Sequence, residues 1–355
     1  MTAAMNSQTA DLSLTSRLVN GILSIKPLAK LAKHNARSMM IKRAATIGVY
    51  WWKEVEALRS RGSATPFSPD WSMELEHVQN SSLTYPDYYV RSFHAYEEGN
   101  LGWEPAMEVE VAAHAVHARI WPDTGADGDA KLRQSFLEVL KAELPQAPQD
   151  ILDVGCSVGM STFALQSLYP QAQITGVDLS PYFLAIAQYR AAALSNQMNQ
   201  SPLDNSVGHS VDNSNREEKT GLYTLHHLTP STQSPVPTWL HAAAESTGLP
   251  NASMDLVSAF LVFHELPQSA AVQILQEARR VLRPGGYVAV MDMNPQSEIY
   301  AKMPPYILTL LKSTEPYLDE YFALDIGQAM YDAGFERPTM TCNTPRHRTV
   351  IARAR

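Results

Sequence analysis

The chain has 355 residues, 45% of them hydrophobic and 18% charged, with a formal net charge of −8. That composition describes a soluble globular protein with ample core, longer than one typical domain, and its acidic balance argues against nucleic-acid phosphates as partners. No apolar run reaches the ~20 residues that span a bilayer, and the two cysteines, Cys156 and Cys342, exclude a disulfide framework and have no Cys or His neighbours at metal-ligand spacing.

Residues 12–53 carry Arg17, Lys26, Lys30, Lys33, Arg37, Lys42, Arg43 and Lys53 and no acidic side chain. Basic and apolar positions (Leu28, Leu31, Met39, Met40, Ile41) alternate at roughly helical intervals, interrupted at Pro27. A basic helix face packed against the acidic remainder is one reading. Contact with anionic lipid and an organelle-targeting segment are the alternatives.

Between residues 84 and 121 the chain becomes aromatic, with Tyr85, Tyr88 and Tyr89 followed by Phe93, His94, Tyr96 and Trp103, and then a helical periodicity over residues 105–120. These side chains suit either a ligand wall, since ring faces attract cations, or a core in which His94 is a satisfied buried histidine.

Residues 151–180 read ILDVGCSVGMSTFALQSLYPQAQITGVDLS: an apolar strand, a glycine turn, a helix, and a second strand ending in a carboxylate. This is a nucleotide-binding βαβ unit. Ile151, Leu152 and Val154 suit a buried parallel strand, Gly155 and Gly159 bracket a turn open to a ligand, and Asp178 is placed to accept both hydroxyls of a ribose. A dinucleotide fold would require G-x-G-x-x-G, which this spacing does not give.

Residues 196–221, rich in Asn, Ser, Asp and Glu, are expected to form a solvent-exposed, disordered insertion. The adjacent pair His226 and His227 lacks a third ligand at a defined spacing. Further on, Met254 to Val257 reads as a strand. The run Phe263-His264-Glu265-Leu266-Pro267 then falls at its C-terminal edge, where ligands of open α/β sheets bind. His264 there is a candidate base, or a polar residue lining the pocket. The turn Leu282-Arg283-Pro284-Gly285-Gly286 leads into a strand over residues 287–292. A helix closes at Ala333-Gly334-Phe335, and a last strand covers residues 349–352.

In order and spacing these segments resemble the class I S-adenosylmethionine-dependent methyltransferases, whose first motif is D-x-G-x-G-x-G. Here it reads Asp153, Gly155, Ser157, Gly159, with Ser157 in place of the central glycine. Within that family the chain is similar to a cyanobacterial and plastid-type group. The resemblance implies an α/β fold, a Rossmann-like, seven-stranded, mostly parallel sheet over residues 141–355, behind a helical N-terminal cap over residues 1–140. It implies S-adenosyl-L-methionine as cofactor, held by Asp153, Gly155, Cys156, Ser157 and Gly159, by Asp178 and Leu179 at the ribose, and by Glu245 and Ser246 at the adenine. It makes Tyr88, Tyr89, Phe93, His94, Tyr96 and Trp103 candidate acceptor-binding residues, and His264 and Glu265 candidate catalytic ones.

No metal is expected, and the acceptor is expected to be a small molecule with an oxygen, carbon or sulfur nucleophile. One version is thioether methylation of a methylthio-hydroxy acid in dimethylsulfoniopropionate synthesis, with Arg91, Arg346 or His347 anchoring the carboxylate. A non-catalytic S-adenosylmethionine sensor is the rival class, and a nicotinamide oxidoreductase is disfavoured by the loop spacing. The expected compartment is the cytoplasm, with an organelle or a membrane periphery as alternatives.

Overall fold

A computed structural model describes residues 14–199 and 234–355. The sheet comprises β1 (Asp150–Val154), β2 (Gln173–Asp178), β3 (Thr238–His241), β4 (Met254–Phe260), β5 (Leu282–Met293), β6 (Thr339–Cys342) and β7 (His347–Arg353). Its order is β3-β2-β1-β4-β5-β7-β6, with β7 antiparallel to both neighbours and the other pairs parallel. β1 and β4 are buried along almost their whole length, with mostly apolar side chains, because helices cover both faces of a parallel sheet. The order reverses beside β1, opening a crevice at the C-terminal ends of β1 and β4, the position at which such sheets take ligands.

Helices α6 (Gly128–Glu143), α7 (Met160–Leu168), α8 (Pro181–Asn199), α9 (Gln268–Val281) and α13 (Ile326–Asp332) surround the sheet. α6 runs across the expected boundary at residue 140. Its Leu132, Phe136, Leu137 and Leu140 pack on Ile151, Ile174 and Ile351, so this helix belongs to the sheet's core. α8 extends to Asn199, into the range marked by composition as insertion; residues 200–221, with His226 and His227, lie outside the described residues.

The N-terminal region is helical as expected: α1 (Leu14–Leu23), α2 (Lys26–Thr46), α3 (Trp51–Ser60), α4 (Asp70–Val78) and α5 (Trp103–His117). Pro27, read as an interruption, sits in the first turn of α2, where its missing N–H costs nothing. The basic face of α2 meets acidic partners on the aromatic segment and α5. Lys30 pairs with Glu97 at 2.7 Å, and Arg37 pairs with Glu104 and with Glu108. No helix among the described residues is long and apolar enough to cross a membrane.

The cap and the sheet share one core. Trp51, Trp71, Met107 and Val111 pack with Val158, Met160, Phe183 and Ile186 from the first glycine loop, α7 and α8. Beneath this cluster the buried Arg190 of α8 pairs with Glu110 of α5 and donates to the Val158 carbonyl at 3.1 Å. Between β5 and β6 the chain adds α10 (Glu298–Ala301), α11 (Pro305–Thr314) and α12 (Leu318–Ala323), and α11 packs against α1 and α2. The crevice is thereby roofed by α2 and α5 on one side and α11 on the other.

Candidate functional site

The first loop turns sharply through three residues with left-handed backbone: Gly155 (φ 64°), Ser157 (φ 50°) and Gly159 (φ 85°). A Cβ at Gly155 would lie 2.6 Å from Val262 Cγ2, so the loop can sit against the end of β4 only as glycine. Ser157 accepts the conformation at a cost of roughly 1–2 kcal/mol, and its amide donates to Asp178 Oδ2 at 2.8 Å while its Oγ is buried without a partner among the described residues.

Two expected cofactor residues have other duties. Asp153 is fully buried, and its Oδ2 accepts from Ser161 Oγ and Thr162 Oγ1, both at 2.7 Å, fastening α7 to β1. Gly159 faces α7 and β3: an added Cβ would come within 2.8 Å of Phe163 Cε2 and 3.0 Å of Trp239 Cη2. Gly159→Ala is therefore expected to cost about 2–3 kcal/mol of stability from strain and overpacking combined, measured by urea denaturation, whereas cofactor affinity changes little in the folded fraction. An unchanged denaturation midpoint would sink this reading.

Asp178 ends β2 beside the loop. Its carboxylate accepts the amides of Ser157 and Ser180, each at 2.8 Å, and faces Tyr89, whose hydroxyl is 3.4 Å away. Burial pushes it up to about 6, against the pull of those donors. Tyr88 donates to Glu245 Oε1 at 2.6 Å, and the other Glu245 oxygen is buried and has no partner among the described residues. Ser246 is exposed beyond it. Burial pushes the Cys156 thiol well up, which keeps it protonated.

Opposite the loop lies a cluster of titratable groups. His264, in the turn after β4, donates from Nδ1 to Asp292 Oδ1 at 2.8 Å. Burial alone would lower its basicity, but Asp292, with Glu315 and Glu265 behind it, outweighs this and holds it at about 10. His94 adopts a left-handed backbone (φ 48°) and places Nε2 3.3 Å from Glu265 and 3.5 Å from Glu315. Burial is again opposed by the two carboxylates, and the ring titrates at about 9. Burial pushes Glu315 up, while His94 and His264 pull it back.

Both histidines are raised above the ordinary value of about 6.5. Their contribution to stability is thus complete below that value and lost as pH rises through about 9 to 10. The melting temperature is expected to fall by a few degrees between about pH 7 and pH 10.5. Differential scanning calorimetry of His264→Gln beside the parent chain checks this: the variant should fall less steeply, and parallel curves would contradict the assignment.

One cavity of about 1030 Å³ joins these parts. Gly155, Cys156, Ser157, Asp178 and Leu179 line it on the loop side. Tyr88, Tyr89, Phe93, His94 and Tyr96 line it from the aromatic segment, and His264 and Glu265 from the end of β4. Asp153, Gly159, Glu245 and Ser246 do not line it. Nor does Trp103, which packs edge-on to Phe67 and Tyr182 in the core shared by cap and sheet. Of the three proposed anchors, Arg346 and His347 line the cavity, while Arg91 is exposed and outside it.

Asp292 and Glu315 escaped the sequence reading. The position of Asp292 at the close of a β-strand carried a usable signal; Glu315, after a helix with no motif, carried none.

The site fits a nucleoside-bearing ligand by its own chemistry: a carboxylate fixed by two amides for a ribose, and an unpartnered serine hydroxyl on the loop beside it. Residues 152–288 match the family model described as a methyltransferase domain. The chain is 30% identical over 139 residues to malonyl-[acyl-carrier protein] O-methyltransferase of Hahella chejuensis, covering 39% of this chain and 34% of that one. It is 38% identical over 69 residues to the Bacillus cereus protein of the same name, covering 19% and 26%. The chain therefore spans about a third, or less, of the length of these curated relatives.

Among solved structures it is similar to a SAM-dependent methyltransferase from Aquifex aeolicus, with 17% identity, coverage of 63% and 93%, and a TM-score of 0.41. It is also similar to human N-acetylserotonin methyltransferase in complex with SAM, with 13% identity, coverage of 80% and 65%, and a TM-score of 0.42.

Proposed function

We propose that this chain, whose residues 152–288 match a methyltransferase domain, is a class I S-adenosylmethionine-dependent enzyme that transfers the methyl group of S-adenosylmethionine to a small molecule held between the sheet edge and the helical cap. The observation that carries this reading is the continuity of the cavity: the ribose-binding carboxylate at Asp178 and the cluster around His264 open into the same space.

Transfer is an in-line displacement in which the acceptor's lone pair forms a bond to the methyl carbon as the carbon–sulfur bond breaks, leaving a neutral thioether. S-adenosylmethionine supplies the activated methyl on a cationic sulfur. The protein's part is to align the acceptor about 3 Å from that carbon and to exclude water. Gly155 and Ser157 would receive the amino-acid end and Asp178 the ribose. Tyr88 and Tyr89 would close over the nucleoside, and their rings, with Phe93 and Tyr96, offer π faces to a sulfonium.

For a hydroxyl acceptor, His264 takes the proton through Nε2 while Asp292 steadies the ring through Nδ1. A thioether acceptor needs no base, and a cationic anchor for an acid is its only further requirement. Arg346, lining the cavity, supports this second reading.

Calorimetric titration with S-adenosylmethionine, S-adenosylhomocysteine and NAD tests the cofactor. A labelled-methyl screen over phenols, quinols, thioether acids and carrier-bound malonate then tests the acceptor. Binding of the first two ligands alone is the expected result; binding of NAD alone, or of none, overturns the proposal.

A further inference from the structure

Most of the cavity wall away from the first loop is apolar. Met39 and Met40 of α2, Val109 and Val116 of α5, and Ile307 and Leu311 of α11 enclose it. Four guanidinium groups interrupt this lining; Arg133 is paired with Asp129, and the other three are Arg43 near the end of α2, Arg119 just beyond α5, and Arg346 in the turn between β6 and β7. These three come from separate elements, and no ion pair with a carboxylate is formed by any of them among the described residues.

The contrast with their neighbours is informative. Arg37, on the same helix as Arg43, is neutralised by Glu104 and Glu108, and Lys302, which also lines the cavity, is paired with Glu298. Arg43 is half-buried and, among the described residues, donates only to the Ala115 carbonyl, at a long 3.4 Å. Burial, with the charges of Arg119 and Arg346 added, works against its own charge. His347, beside Arg346, is kept neutral by burial and by His117, and bonds Thr344 instead. Like charges gathered around an apolar space, with no carboxylate paired to them among the described residues, favour an anionic ligand over a neutral or cationic one.

Resting on the methyltransferase reading, we propose that the acceptor is an organic anion with an apolar body. Its carboxylate or phosphate sits among Arg43, Arg119 and Arg346, its body lies along α2, α5 and α11, and its nucleophilic atom faces the His264 cluster.

The test is calorimetric titration of the full chain with decanoate, decan-1-ol and decyltrimethylammonium, each with and without saturating S-adenosylhomocysteine. Decanoate is expected to bind at least tenfold more tightly than decanol, and the ammonium compound most weakly. The double variant Arg43→Gln, Arg346→Gln is expected to erase that preference while still binding S-adenosylhomocysteine, which shows that it is folded. Lys53→Gln, changing an exposed cation elsewhere, should keep the preference. Equal binding of acid and alcohol by the parent chain, or a preference that survives in the double variant, overturns the proposal. Failure of the parent to bind S-adenosylhomocysteine would instead sink the methyltransferase reading, and the titrations without it would still decide this one.

Discussion

Asp178→Ala is expected to weaken S-adenosylmethionine binding by on the order of 10²- to 10⁴-fold. Two hydrogen bonds from ribose hydroxyls to a charged acceptor contribute about 1.5–3 kcal/mol each, and every 1.4 kcal/mol or so is tenfold in affinity. The loss is compounded because the same carboxylate holds the amides of Ser157 and Ser180, so its removal frees the turn proposed to receive the amino-acid end. Asp178→Asn keeps one acceptor oxygen and should fall between alanine and the parent. Isothermal titration with S-adenosylhomocysteine gives the answer directly, and an affinity within threefold of the parent for the alanine variant would remove Asp178 from the site.

His264→Gln is expected to lower turnover by about 10²- to 10⁴-fold for a hydroxyl acceptor, the usual contribution of a positioned base, without changing affinity for S-adenosylhomocysteine. The pairing with Asp292 makes His264 a strong base that is mostly protonated at neutral pH. The parent's rate should therefore climb with pH toward about 10 as the ring is released, and the glutamine variant should lose that climb. A thioether acceptor predicts the opposite: no pH-dependent rise and only a modest loss in the variant. Rate–pH profiles on the labelled acceptor separate the two, and a flat parent profile with a hydroxyl acceptor would rule His264 out as the base.

The strands that carry the site were readable because a parallel sheet covered on both faces demands short, mostly apolar strands, as at β1 and β4. The glycine turn and the acid at the end of β2 were readable because their backbone and charge requirements are local. Roles that depend on direction were not. Asp153 stands in the same motif as Gly155, yet its side chain leaves β1 toward α7, where Ser161 and Thr162 receive it. Trp103 has the composition of a ligand wall and the position of a core residue, since α5 turns it toward Phe67 and Tyr182.

The arginines illustrate the remaining gap. Arg43 and Arg346 are far apart in sequence and line one cavity only because the fold brings the end of α2 and the β6–β7 turn to the same space, a juxtaposition that no periodicity announces. Glu315 joins His94 by the same kind of long-range closure.

The core shared by the cap and the first glycine loop also bears on how such a protein could diversify. A new acceptor preference cannot arise by exchanging the N-terminal helices as a module. Val158 and Phe183, which lie under Trp51 and Trp71, would have to change in step with them. Specificity and cofactor grip would be inherited together, and the freer route to a new substrate runs through α11, inserted between two strands and facing the cavity from the other side.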